Sequence, residues 1–206
     1  ELIKINDFIH NKNKKASFFT ADLINEEEII QLCDRLPVLS GIVINAGIVD
    51  YSPVKHISLK KMIALFQINF FSNVLLIKNL LKQRKIKNAA SIVFIGSISS
   101  DLGVPATAMY AASKSALTSF SKVLASELLS KKIRVNTVSP GLVKTKVLKN
   151  ISEINKKPND YPLGYGDVQD VSNQVLFLLS DKSKWITGTN IKIEGGYLLK
   201  WEKRHT

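Results

Sequence analysis

A tyrosine and a lysine four positions apart, Tyr110 and Lys114, lie in the stretch SIVFIGSISSDLGVPATAMYAASKSALTSF, with Ser97 upstream of both. A free phenol has a pKa of about 10 and is a poor acid or base near neutrality. An ammonium within a few ångströms favours the phenolate and lowers that value. Such a phenol can pass a proton to or from a substrate oxygen, a step usually worth roughly 10²- to 10⁴-fold. A serine hydroxyl would hold that oxygen while the carbon beside it gains or loses a hydride. Taken alone, Tyr-x-x-x-Lys is most often an ordinary solvated helix face. The serine at a strand end turns the pattern toward chemistry.

The surrounding sequence places these groups. Ile92 to Ile95 reads as a buried strand that breaks at Gly96-Ser97. After a loop with Gly103 and Pro105, a helical pattern runs from 107 to 130, with Leu117, Phe120, Leu124 and Leu128 as its packing face. Tyr110 and Lys114 then lie one turn apart on one face. Ser97, at the carboxyl end of its strand, occupies the edge where open α/β sheets take ligands. Further strands are expected at Ser17–Thr20, Gly41–Ile44, Ile133–Val138 and Asn190–Ile193. Helices are expected at Glu26–Leu36, about Leu59–Lys82 and Val168–Leu179, the last with Asp167 as N-cap. Residues 1–10 read as the tail of another helix. Strands alternating with helices indicate an α/β domain around a parallel sheet.

The chain has 206 residues, 45% of them hydrophobic and 22% charged, which suits one globular domain spanning 1–206. No apolar run is expected to span a membrane, and no signal peptide is visible. The chain does not begin with Met, so the natural start is expected to lie further upstream. A lone Cys33 rules out an internal disulfide and fits a reducing, cytoplasmic setting. The net charge of +12 suits an acidic partner, a carrier protein or a phosphorylated substrate, or is simply spread for solubility. The lysines are dispersed over loops, Lys82 to Lys87 being one of them, and no aromatic residues interleave with them, so nucleic acid is not an expected partner. His10, His56 and His205 are scattered, and no metal site is expected.

Ser97, Tyr110 and Lys114, in this order and spacing, resemble the short-chain dehydrogenase/reductase family. Asn45-Ala46-Gly47 after a strand, Pro140-Gly141 and Thr145 after the next one, and Gly195-Gly196 near the end extend the likeness from about Asp22 to Tyr197. The resemblance implies a Rossmann-type doubly wound parallel sheet and an oxidoreductase using NAD or NADP on a carbonyl/alcohol substrate. The order of segments is similar to that of 3-oxoacyl-carrier-protein reductases. It implies Ser97, Tyr110 and Lys114 as catalytic groups. Asn69 would be the asparagine that bends its helix and holds a water linking the lysine to solvent, although Asn73 competes for that place. Asp22 and Leu23 would meet the adenine, with Asp22 equally readable as a turn residue. Asn45, Ala46 and Gly47 would lie beside the ribose. Pro140, Gly141, Val143 and Thr145 would meet the nicotinamide half. The resemblance also implies a homodimer or homotetramer through the two long helices, and a lid over 146–160. Lys144, Lys146, Lys149, Lys156 and Lys157 there favour an anionic or carrier-bound substrate.

One departure stands out. The family opens with a strand and a glycine-rich turn whose amides carry the pyrophosphate, and no such segment occurs in these 206 residues. A longer parent chain is expected. Without a neighbour, Ser17–Thr20 would have no strand to pair with. Two other classes of function stay open at this point: a non-catalytic binding or scaffold protein that has kept the fold, and a module that binds polyanions by charge.

Overall fold

A computed structural model describes residues 16–144 and 161–199. Its centre is the ten-residue strand β2 (Ile86–Ile95), flanked in a parallel sheet by β1 (Leu39–Ile44) and β3 (Arg134–Pro140), with β4 (Asn190–Ile193) beyond β3. The order is β1-β2-β3-β4, in register at Val43↔Val93, Phe94↔Thr137 and Pro140↔Ile193. Parallel neighbours need long crossovers. These are the helices α2 (Leu59–Lys82), α3 (Ala108–Glu127) and α4 (Val168–Leu179), while α1 (Glu26–Arg35) precedes β1.

Side chains alternate across a strand, and β2 uses both faces. Ile92 and Phe94 join Ile29 and Cys33 of α1, Ile77 and Leu80 of α2, and Leu117 and Leu124 of α3 in one buried cluster. Val93 and Ile95 pack on the other face with Leu178 and Leu179 of α4. A strand buried on both sides reads as a continuous apolar run rather than an alternating one. This is the doubly wound α/β arrangement. Cys33 is fully buried, and burial pushes its thiol pKa up.

Local signals set the helix ends. Asn25 accepts hydrogen bonds from the amides of Glu27 and Glu28 at the start of α1. Ser58 accepts from Lys61 at the start of α2. Asp167 and Asp170 form a reciprocal capping box at the start of α4.

Three expectations change. Ser17–Thr20 carries no regular secondary structure. A strand needs a hydrogen-bonding neighbour, and among the described residues β1 pairs only with β2, leaving its outer edge open. Phe19 lies instead under the guanidinium of Arg35, 4.7 Å from the ring centroid. The expected basic loop over Lys82–Lys87 is cut short because β2 begins at Ile86. The absence of any apolar run of spanning length also fails, since α2 has 24 residues and enough hydropathy to cross a bilayer. One side of it packs into the core, with Leu65, Ile77 and Leu80 buried alongside Asn69, Ser72, Asn73 and Asn79.

Within α2, Gln67–Phe71 widens to a π-turn. Such a turn breaks the regular hydrogen-bond ladder. Side chains one turn on take up the carbonyls: Ser72 Oγ donates to Ile68 O at 2.7 Å and Asn73 Nδ2 to Asn69 O at 2.8 Å.

Candidate active site

The carboxyl ends of β1, β2 and β3 open into a cavity of about 440 Å³. Ser97, Tyr110 and Lys114 all line it. The chain leaves β2 through Gly96, whose amide donates to Val138 O at 2.7 Å. A Cβ at Gly96 would come within 2.6 Å of Ser139 Oγ and 2.8 Å of Thr137 Cγ2, so only glycine lets β2 and β3 approach this closely. Ser97 follows at the sheet edge, with its Oγ accepting from the Ser99 amide at 3.2 Å. Tyr110 lies close enough to Ser97 for the serine side chain to act on its phenol.

Lys114 is 4% exposed and its Nζ donates to Ile95 O at 2.9 Å. Burial without a carboxylate partner pulls its pKa down to about 8. Burial pushes the Tyr110 phenol up; the Ser97 side chain works the other way, and the nearby Tyr51 adds to the rise. The sequence alone suggested a tyrosine lowered by the lysine. The structure differs because desolvation acts on both groups and the ammonium is turned to the strand carbonyl.

Asn69 sits just behind this wall, fully buried. Its Oδ1 accepts from the Ile48 amide at 2.7 Å; its Nδ2 donates to Ile48 O at 2.9 Å and to Ser113 Oγ at 3.0 Å. Ser113 Oγ donates in turn to Tyr110 O at 2.7 Å. One amide thus ties the loop after β1 to the turn of α3 that carries Tyr110. A Cβ on Gly47 would lie 3.2 Å from Lys114 Nζ and 3.3 Å from Asn69 Oδ1. Asn69 occupies the π-turn itself, whereas Asn73 supports it from one turn on.

Asn45, Gly47, Pro140, Gly141 and Val143 line the same cavity. Ala46 does not; its carbonyl accepts from Asn73 Nδ2 at 3.5 Å. Asp22 and Leu23 stand apart, at the entry to α1. The Asp22 carboxylate accepts from the Ile24 amide at 2.9 Å, which is turn geometry, and Leu23 packs on the core. Thr145, Lys146, Lys149, Lys156 and Lys157 lie outside the described residues. Lys144 is exposed and pairs with Asp167 at 3.8 Å.

Sequence reasoning missed Ser113 and the aromatic wall. Ser113 follows Tyr110 by three and could have been found from helical spacing. Tyr51, Tyr161, Tyr165 and Tyr197 carry no such local signal, yet all four line the cavity with Tyr110.

A family model described as enoyl-(acyl carrier protein) reductase matches residues 6–198. The chain belongs to the short-chain dehydrogenase/reductase family. Among dehydrogenase/reductase relatives, a 3-oxoacyl-(acyl-carrier-protein) reductase, FabG, from Buchnera aphidicola subsp. Schizaphis graminum is 34% identical over 191 residues, 89% of this chain and 78% of that protein. A cyclopentanol dehydrogenase from Comamonas sp. is 32% identical over 201 residues, covering 92% of this chain and 79% of its own length. A solved structure within the same fold, a blue fluorescent protein from a metagenomic library in complex with NADPH, superposes with a TM-score of 0.86 at 25% identity, covering 95% of this chain and 81% of that one.

Proposed function

We propose that this chain is an NAD(P)-dependent oxidoreductase acting on a carbonyl/alcohol pair. The observation that carries the reading is the convergence of Ser97, Tyr110 and a buried lysine on one cavity. The nicotinamide, when bound, supplies or accepts the hydride. Ser97 holds the substrate oxygen and Tyr110 gives it a proton during reduction. A phenol held above its usual pKa stays protonated near neutrality, the state that reduction requires. Lys114 offers three N–H donors, of which the Ile95 carbonyl takes one. The remaining donors, facing a space that Gly47 leaves open, suit ribose hydroxyls and a developing phenolate. Asn69 holds Ile48 and, through Ser113, the Tyr110 turn, and so supports a water-borne proton relay behind Lys114.

By the family pattern, Asn45, Ala46 and Gly47 meet the ribose, while Pro140, Gly141, Val143 and Thr145 meet the nicotinamide half. Asp22 and Leu23 would meet the adenine. Either NAD or NADP suits these contacts. Reduction of a 3-oxoacyl thioester is one reaction within this class, supported by the FabG relative. Exposed Leu59, Ile63 and Phe71 on α2 and Val123 on α3 give a homodimer or homotetramer an apolar contact, in a cytoplasmic enzyme. No observation favours the non-catalytic alternative. Replacing Tyr110 with Phe is expected to lower turnover by at least about a hundredfold while dinucleotide binding, followed by fluorescence titration, persists. Full activity in that variant overturns the proposal.

A further inference from the structure

Parallel strands joined by crossover helices all begin at the same edge of the sheet. At this edge, opposite the cavity, the chain enters its strands through segments 34–38, 82–88, 127–134 and 180–189, which hold ten basic and three acidic residues. The remaining described residues are close to balanced, with eight basic and nine acidic. Lysines that are far apart in sequence are thus gathered at one end by the fold. Three of the ten basic groups are held by the chain itself. Lys85 Nζ donates to Asp34 O at 3.0 Å and to Leu36 O at 2.6 Å, and so ties the entry to β1 to that of β2. Arg134 donates to Leu178 O at 2.8 Å and to Ser183 Oγ at 2.9 Å, and so ties the entry to β3 to that of β4. Arg35 lies over the Phe19 ring.

The other seven are exposed: Lys82, Arg84 and Lys87 at the entry to β2, Lys131 and Lys132 before β3, and Lys182 and Lys184 before β4. None of them forms an ion pair among the described residues, although Asp34, Glu127 and Asp181 share this edge. Elsewhere exposed lysines do meet carboxylates, Lys78 with Glu26 and Lys192 with Asp101, both at 3.2 Å. The same segments also expose apolar side chains: Val38, Leu129 and, at 95% exposure, Trp185. Trp185 directly follows Lys184, and Leu129 lies two residues before Lys131. An indole settles at a membrane–water interface, with its apolar body inward and its N–H toward water. Lysines near an anionic bilayer add attraction, each worth about fivefold in affinity. A single-stranded nucleic acid calls for a groove with successive aromatic faces. Trp185 is the sole aromatic residue in these four segments.

We infer that the amino edge of the sheet docks on an anionic phospholipid bilayer, with Lys131, Lys132, Lys182 and Lys184 over the headgroups and Trp185 and Leu129 entering the interface. The cavity opens at the opposite edge, so a docked chain keeps its site facing water. Docking there does not depend on the oxidoreductase reading. It also leaves free the exposed Leu59, Ile63, Phe71 and Val123 that a second copy of the chain would cover.

The test mixes the full chain with vesicles of phosphatidylcholine, either alone or with about 30% phosphatidylserine. Sedimentation should show at least about tenfold tighter binding to the anionic vesicles. That preference should vanish between about 0.1 M and 1 M salt, as the Debye length falls from about 10 Å to about 3 Å. In a Trp201→Phe background, Trp185 emission should shift to the blue on anionic vesicles. Lys131→Gln combined with Lys184→Gln should weaken binding by about tenfold or more, and Lys182→Gln alone by about fivefold, with folding checked by thermal melts. Lys55→Gln combined with Lys60→Gln removes the same charge at the opposite edge and should weaken binding by less than about threefold. Failure to bind, equal binding to both vesicle types, or equal loss in the two double variants overturns the docking surface. Trp185 emission already blue without vesicles means that a second copy covers it, and overturns the surface too. Tighter binding of single-stranded DNA than of anionic vesicles does the same. Carbonyl reduction assayed without vesicles reports on the oxidoreductase reading alone.

Discussion

Replacing Lys114 with Met should stabilise the fold while it stops the chemistry. Lys114 is 4% exposed, and burial lowers its pKa from an ordinary 10.5 to about 8. Each pKa unit corresponds to about 1.4 kcal/mol, so holding this ammonium charged in the fold costs roughly 3 kcal/mol below pH 8. Methionine keeps most of the apolar stem and removes the charge. It also leaves Ile95 O without the 2.9 Å donor, a loss of about 1 kcal/mol. The net expectation near pH 7 is a gain of about 2 kcal/mol, or roughly 4–8 °C in Tm for a chain of this size. The sign of the pH dependence follows from the folded pKa lying below the unfolded one. Between about 8 and 10.5 the unfolded chain binds more protons, so the parent gains stability as pH rises and the advantage of the variant shrinks. Denaturant melts of both chains at pH 7 and pH 10 measure this directly, with carbonyl reduction assayed in parallel. A variant that is less stable at pH 7, or whose advantage is the same at both pH values, refutes the argument that burial of an unpaired ammonium governs Lys114.

The pH profile of kcat/KM for reduction should be flat below about 8 and fall toward a tenfold loss per unit above it, as Lys114 gives up its proton; steady-state rates from pH 6 to 10 check this. Asn69→Ala takes the side-chain partner from the amide and carbonyl of Ile48 and frees Ser113, and is expected to cost about 1–3 kcal/mol in denaturant melts along with turnover. Gly96→Ala forces a methyl against Ser139 Oγ, which is itself held to Asn190 Oδ1 at 2.7 Å. That overpacking should cost about 1–3 kcal/mol, read as a lower midpoint at unchanged m-value.

Much of the sheet was legible because its cause is local. The run at Ile92–Ile95 is apolar without alternation since helices cover both faces, the run at Gly41–Ile44 buries Ile42 and Ile44 on one face, and Asp167 marks the start of α4 through its own cap. Ser17–Thr20 has no strand partner among the described residues, and strand formation depends on a neighbour far away in sequence. The packing of α2 was equally hidden: length and hydropathy fit a membrane span, and only tertiary structure brings Ile77 and Leu80 against α1 and α3.

For the site, sequence determined which groups can react and at what spacing. Ser97, Tyr110 and Lys114 lie on one strand end and one helix face, and short-range geometry carries those three to a common edge. Tertiary structure decided the electrostatics and the walls. The Lys114 pKa falls because the sheet and α3 exclude water around it, and the tyrosine wall exists because segments scattered from Tyr51 to Tyr197 meet at one cavity. Desolvation and ring stacking act through space, between residues with no regular spacing along the chain.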